Sequence, residues 1–176
     1  AQIIQFIFLG YEIHSLIADG EDLPEQRRQF PVLVGDFLYG KFFLGLANAN
    51  LLHYLEPITH VVQSMSEGMV LRWQNENSHS KHDLKPEDWW KVFEKQRGFL
   101  TGLSAKLGAD LNGASAEFQD FCERFGRLLG IAWAASTTSV GREMVEDTLN
   151  RAKELIDNQR SLYDLKPLYE VYDYIT

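Results

Sequence analysis

Arg27-Arg28-Gln29-Phe30-Pro31-Val32-Leu33-Val34-Gly35-Asp36-Phe37-Leu38-Tyr39-Gly40-Lys41 is the stretch on which the fold turns. An arginine pair ends a polar run, residues 19–31, that holds the breakers Gly20, Pro24 and Pro31. The Gly-Asp step then opens an apolar helix, read as residues 32–47. Its small residues Gly35, Gly40, Gly45 and Ala47 alternate with Phe37, Leu38, Phe42, Phe43 and Leu46. A helix that is apolar on every side must be covered on every side. Two covers are open: the core of this chain, or a partner.

The segments on either side carry the same helical period. Residues 1–18 are apolar nearly all round, while Glu12 and His14 and the lack of a basic leader argue against a signal peptide or a membrane span. The chain lacks an initiator Met and opens inside this helix, so residues upstream of Ala1 are expected. Asn48-Ala49-Asn50 reads as a turn. A third helical region follows over residues 51–75, with Pro57 near its start and Ile58, Val61, Val62, Met65, Met69, Arg72 and Trp73 in phase. After a polar loop, Pro86 suits a first helical position, with Glu87 and Asp88 favoured in the first turn by the helix dipole. That fourth helix stops at Asn112-Gly113. Ser115 can cap a fifth running through Trp133. A sixth begins at Ser139 or Gly141, and residues 164–175 close the chain around Pro167. No segment alternates with a period of two, so a sheet is not expected.

The 176 residues are enough for one domain with a substantial core. A net charge of −8 argues against a general nucleic-acid surface. The single cysteine, Cys122, excludes an internal disulfide and fits a reducing compartment; among Phe118, Phe121 and Phe125 it reads as a small core hydrophobe. His14 reads as a satisfied core histidine. Neither His53 with His60 nor the loop residues His79, His82 and Asp83 make a metal-ligand pattern.

Taken with four later landmarks, the opening stretch resembles the region after the first aspartate motif of the trans-prenyl diphosphate synthases. Glu67-Gly68 is similar to a Glu-Gly step in that family's third helical region, and Leu107-Gly108-Ala109 to the ending of its next long helix. Gly130-Ile131-Ala132-Trp133 resembles the Gly-x-x-aromatic step before the second aspartate motif, and Gln96-Arg97 stands where a Lys-Thr pair would bind diphosphate. The resemblance implies an all-α helical bundle of the isoprenoid synthase type, with a truncation left open, as one domain over residues 1–176.

Those enzymes ionise an allylic diphosphate, and Mg²⁺ held by carboxylates and phosphate oxygens neutralises the leaving group. An Asp-Asp-x-x-Asp motif on a helix aims its first and last carboxylates from one face. Here only Asp19 keeps its place in the first motif: Gly20 and Leu23 replace the other two aspartates, and Asp22 falls one residue early. Asp19 and Asp22 are the residual metal candidates; the alternative is a solvated acidic loop. In the second motif, Thr137-Thr138 stand where paired aspartates would be.

The resemblance therefore implies a non-catalytic or regulatory small subunit of a heteromeric long-chain prenyl diphosphate synthase, of the kind that makes quinone side chains. It implies no cofactor of the chain's own, with Mg²⁺ in a catalytic large subunit, and a cytoplasmic setting without nucleic acid or a membrane span. Arg27, Arg28 and Arg97 would bind prenyl diphosphate, unless the arginine pair merely balances Glu21, Asp22 and Glu25. Phe37, Leu38, Lys41, Phe42, Gly45 and Leu46 would form the subunit interface and product tunnel. Two alternatives remain: a divergent Mg²⁺-dependent synthase active alone through Asp19 and Asp22, and a prenyl-lipid-binding module.

Overall fold

The computed structural model describes residues 2–16, 25–77, 86–138, 142–159 and 163–175, and among these every regular element is a helix. They divide into two compact units, Ala1–Ser66 and Glu67–Thr176. Helix α3 (Leu55–Asn77) runs across the boundary between them, with Pro57 in its first turn, where a missing N–H costs nothing.

In the first unit, α1 (Gln2–Ser15) and α2 (Glu25–Asn48) pack antiparallel, Gly45 facing Ile3 and Gly10 facing Gly35. Ile7, Tyr11, Phe42 and Leu46 are buried. The 48–50 turn is real: Asn50 takes the left-handed conformation (φ 56°), and Leu51 donates back to the Leu46 carbonyl at 2.9 Å. One boundary differs from the sequence reading. Helix α2 starts at Glu25 rather than residue 32, so Arg27, Arg28 and Pro31 are helical. Pro31 forgoes one backbone hydrogen bond, a loss confined to the first two turns of a 24-residue helix.

The second unit is built on α4 (Pro86–Phe93), a π-helical turn (Glu94–Gly98) and α5 (Phe99–Leu111), one continuous rod ending at Asn112 and Gly113 (φ 73°). Ser115 accepts a hydrogen bond from the Phe118 N–H and caps α6 (Ala116–Ser136), which runs three residues past the expected end. Helices α7 (Arg142–Asp157) and α8 (Lys166–Ile175) complete it. Helix α6 is shared by two cores. Phe121, Cys122, Phe125 and Leu129 meet Ala152, Ile156 and Leu165 on one side, while Ile131, Ala134 and Ala135 meet Trp89, Val92 and Phe93 on another. Cys122 is the small buried hydrophobe expected, and burial raises its thiol pKa.

Helices α5 and α6 touch backbone to backbone. A Cβ on Gly126 would lie 2.6 Å from the Thr101 carbonyl oxygen; one on Gly130 would overlap Thr101 Oγ1 and come within 2.9 Å of the Arg97 carbonyl oxygen. On the facing helix, a Cβ on Gly102 would come within 2.9 Å of the Glu123 carbonyl oxygen. Glycine at these points is a matter of space. Lys106 spans the same pair of helices, 2.8 Å from both Asp120 and Glu123, and those hydrogen bonds raise its pKa. Gly126→Ala and Gly130→Ala are each expected to destabilise the protein by about 1–3 kcal/mol through overpacking. Gly108→Ala, where nothing lies within 4 Å, should be neutral or stabilising by up to about 1 kcal/mol. Urea denaturation of the three variants decides it: equal effects would show that the helices do not meet at the glycines.

Candidate functional site

Three of the four landmarks scattered in sequence converge on the π-helical turn, while Leu107-Gly108-Ala109 lies at the other end of α5. A Cβ on Gly68 would come within 2.9 Å of Lys95 Cβ and 3.1 Å of the Gln96 backbone nitrogen, so glycine lets α3 close on that turn. Its neighbour Glu67 receives Lys95 Nζ at 2.6 Å. From the same turn the Arg97 guanidinium lies over the Trp133 ring, 4.8 Å from its centroid, while the Arg97 carbonyl packs against Gly130. The structure thus brings together Glu67-Gly68, Gln96-Arg97 and Gly130–Trp133. The Glu67–Lys95 ion pair and the stacking on Trp133 are cross-helix relations that no local spacing signals.

Thr137 and Thr138 sit at the C-terminal end of α6 and serve that end. Thr137 Oγ1 donates to the Ala134 carbonyl at 2.7 Å and Thr138 Oγ1 to the Ala135 carbonyl at 3.0 Å. A carboxylate accepts only, and the C-terminus of a helix carries partial negative charge, so aspartate would be disfavoured here unless a cation lay beside it. Neutral hydroxyls already committed as donors are a poor fit to Mg²⁺, a hard cation served by carboxylates. Among the described residues no group of three or more His, Cys, Asp or Glu side chains is placed to hold a metal ion. Asp19 and Asp22 lie outside the described residues. Arg27 and Arg28 lie in the first turn of α2, and their side chains are not described.

Trp133 also lines a cavity of about 700 Å³ between α5, α6, α7 and α8, with Phe125, Leu129, Val145, Leu168 and Val171. Its volume falls within the range of about 300–1,000 Å³ usual for ligand pockets. The hydroxyls on its wall are spent locally: Thr101 donates to Arg97, Ser104 to Leu100 and Ser136 to Trp133, each to a backbone carbonyl of its own helix. What remains is a wall suited to a hydrocarbon chain.

The Gly35-Asp36 step has a local role. A Cβ on Gly35 would overlap the His14 ring, so glycine lets the imidazole lie across α2. His14 Nε2 sits 3.3 Å from the Val32 carbonyl and 3.4 Å from Asp36 Oδ1. Both neighbours accept, which assigns the proton to Nε2. Tyr39 lies beside the imidazole, its pKa raised by burial and by the Asp36 charge. His14 is therefore satisfied between helices as expected, but half-buried rather than in the core.

The interface candidates on α2 separate into two faces. Phe42 and Leu46 are buried, Gly45 faces Ile3 of α1, and Leu38 is half-buried. Phe37 and Lys41 are exposed, the ammonium 5.2 Å from the Phe37 ring centroid. Phe37 belongs to a row with Phe30, Leu33 and Leu44, spaced by three, four and seven residues and all more than half exposed. The span Gln29–Asn48 is also apolar and long enough to cross a membrane, and 17% of it is buried; a single such helix is weak evidence. Asp36 and Lys41 stand in its middle, where a bilayer makes charge costly.

No protein-family model matches the chain. It is 27% identical to the octaprenyl diphosphate synthase of Escherichia coli over 141 residues, covering 76% of this chain and 43% of that one. Over 169 residues it is 22% identical to decaprenyl-diphosphate synthase subunit 2 of Schizosaccharomyces pombe, covering 95% of this chain and 54% of the relative. Among solved structures, a deletion mutant of the heterotetrameric geranyl pyrophosphate synthase of mint superposes with a TM-score of 0.71 at 17% identity, covering 99% of this chain and 72% of that one. The chain spans about half the length of the curated relatives it matches. The architecture is the all-α isoprenoid synthase fold, and the curated relatives it resembles in sequence are named as a prenyl diphosphate synthase and a subunit of one.

Replacing both threonines, Thr137→Asp with Thr138→Asp, is expected to cost about 1–3 kcal/mol at pH 7, from two lost hydrogen bonds and charge at the helix end. The loss should shrink at pH 3, where protonated carboxyls can donate again. Urea denaturation at the two pH values measures it, and wild-type stability at pH 7 would show that the hydroxyls do not hold the end of α6.

Proposed function

We propose that this chain is a non-catalytic subunit of a heteromeric long-chain trans-prenyl diphosphate synthase, working in the cytoplasm beside a catalytic subunit that supplies Mg²⁺ and ionises the allylic diphosphate. The observation that carries the reading is the end of α6. The two positions where the family's second aspartate pair would stand hold threonines engaged in capping. Without paired carboxylates the chain contributes shape. The apolar cavity beside Trp133 would accept part of a growing prenyl chain, and the exposed row on α2 would receive the catalytic subunit. Arg97, stacked at the cavity's edge, would meet the diphosphate. The similarity to a protein named as subunit 2 of a decaprenyl synthase supports the same reading.

A second reading, elongation by this chain alone, draws support from the E. coli relative, which is named as a synthase without a subunit designation. An elongation assay with farnesyl and isopentenyl diphosphates and Mg²⁺ separates the two. The chain alone is expected to be inactive, and its addition to a catalytic subunit should raise turnover or lengthen the product. Turnover by the chain alone would overturn the subunit reading. Phe37→Glu with Leu44→Glu should abolish the stimulation while leaving the fold intact, because both side chains are exposed; circular dichroism controls for folding. Stimulation that survives the double change would remove α2 from the interface.

A further inference from the structure

On the face of α6 turned away from the apolar cavity lies a second recess of about 450 Å³, bounded by α4, the π-helical turn, α6 and α7. Three arginines line it, Arg124 and Arg127 from α6 and Arg151 from α7, together with Glu94 and Glu154. Three guanidinium groups stand against two carboxylates in the lining itself, while Glu123 and Asp147 approach Arg127 and Arg151 from outside it. We propose that this recess binds a small multivalent oxyanion, of the phosphate or polycarboxylate class. The inference goes beyond the subunit reading and does not depend on it.

The donors are arranged for such a guest. Arg151 lies over the Trp90 ring at 4.8 Å, and its ion pair with Asp147 is long, 3.7 Å. Stacking fixes the guanidinium plane and leaves its in-plane N–H groups directed at an acceptor. Arg127 is held over Phe99 at 4.7 Å and reaches Glu123 at 3.3 Å and Glu94 at 3.7 Å, while its Nε is buried without an acceptor. Arg124 is exposed and has no ion-pair partner among the described residues. Two planar forks fixed by aromatic rings, with a third free to close, suit the several oxygens of a diphosphate or a tricarboxylate better than a single carboxylate. Three guanidinium groups in one lining also disfavour a metal cation in the same place.

The test is isothermal titration of the full chain at low ionic strength with inorganic diphosphate, inorganic phosphate and citrate. The proposal expects a Kd below about 1 mM for diphosphate or citrate, weakened at least about tenfold by Arg124→Gln and by Arg151→Gln, and weakened by added salt. Tighter binding of diphosphate would assign phosphate compounds as the guest, and tighter binding of citrate would assign polycarboxylates. Lys166→Gln, an exposed cation on α8 outside both the recess and the apolar cavity, should leave the affinity unchanged. No heat from any of the three at about 10 mM would overturn the site. So would an affinity unchanged in both recess variants, or one lost equally in Lys166→Gln. Arg124 and Arg151 are both exposed, and a thermal melt of each variant separates lost binding from lost folding.

Discussion

The contact between α5 and α6 through glycine is the constraint on which the rest of the second unit depends. With Gly102 on one helix and Gly126 and Gly130 on the other, backbone meets backbone, and no flexible side-chain end can yield if a Cβ is added at Gly102 or Gly126. That approach sets where everything else points. The Arg97 carbonyl is held against Gly130, which places the guanidinium over Trp133, three residues along α6. Arg127 is carried on the same helix, its side chain passing beside Gly98 and Gly102 before turning over Phe99. The apolar cavity and the arginine recess therefore share the wall made by α6 and depend on one seam.

The π-helical turn is the second fixed point. It lies where α3, α5 and α6 all press on the chain, and it carries Gln96 and Arg97. A π turn widens the helix by one residue and rotates the residues beyond it, a distortion frequent at functional sites. Here it is held by Gly68 from one side and Gly130 from the other.

Much of this is legible in the sequence where local chemistry decides structure. Ser115, Asn112-Gly113, Pro57 and Pro86 mark helix ends because a cap or a missing N–H acts within one turn. Cys122 takes the expected place because apolar neighbours leave few alternatives. The start of α2 is not legible, because Pro31 reads as a breaker whereas a long helix absorbs one lost bond near its beginning. Arg97 on Trp133, Lys95 on Glu67 and the convergence of Arg124, Arg127 and Arg151 are equally hidden. Each is a pairing between helices set by axial rotation and by the π turn, and no spacing within one helix encodes it.

Helix α2 turns these local facts into an argument about assembly. Its glycine face is committed to α1, through Gly35 beneath His14 and Gly45 beneath Ile3. The opposite row of Phe30, Leu33, Phe37 and Leu44 is left exposed, an arrangement whose apolar surface a water-facing helix does not retain without a use. A bilayer is an unfavourable cover, because Asp36 and Lys41 interrupt the apolar span near its middle. A protein surface is a better one: it can pair Lys41 and Asp36 at its rim while the row packs at its centre. The same helix thus joins a closed face, which the sequence marks with glycines, to an open apolar face.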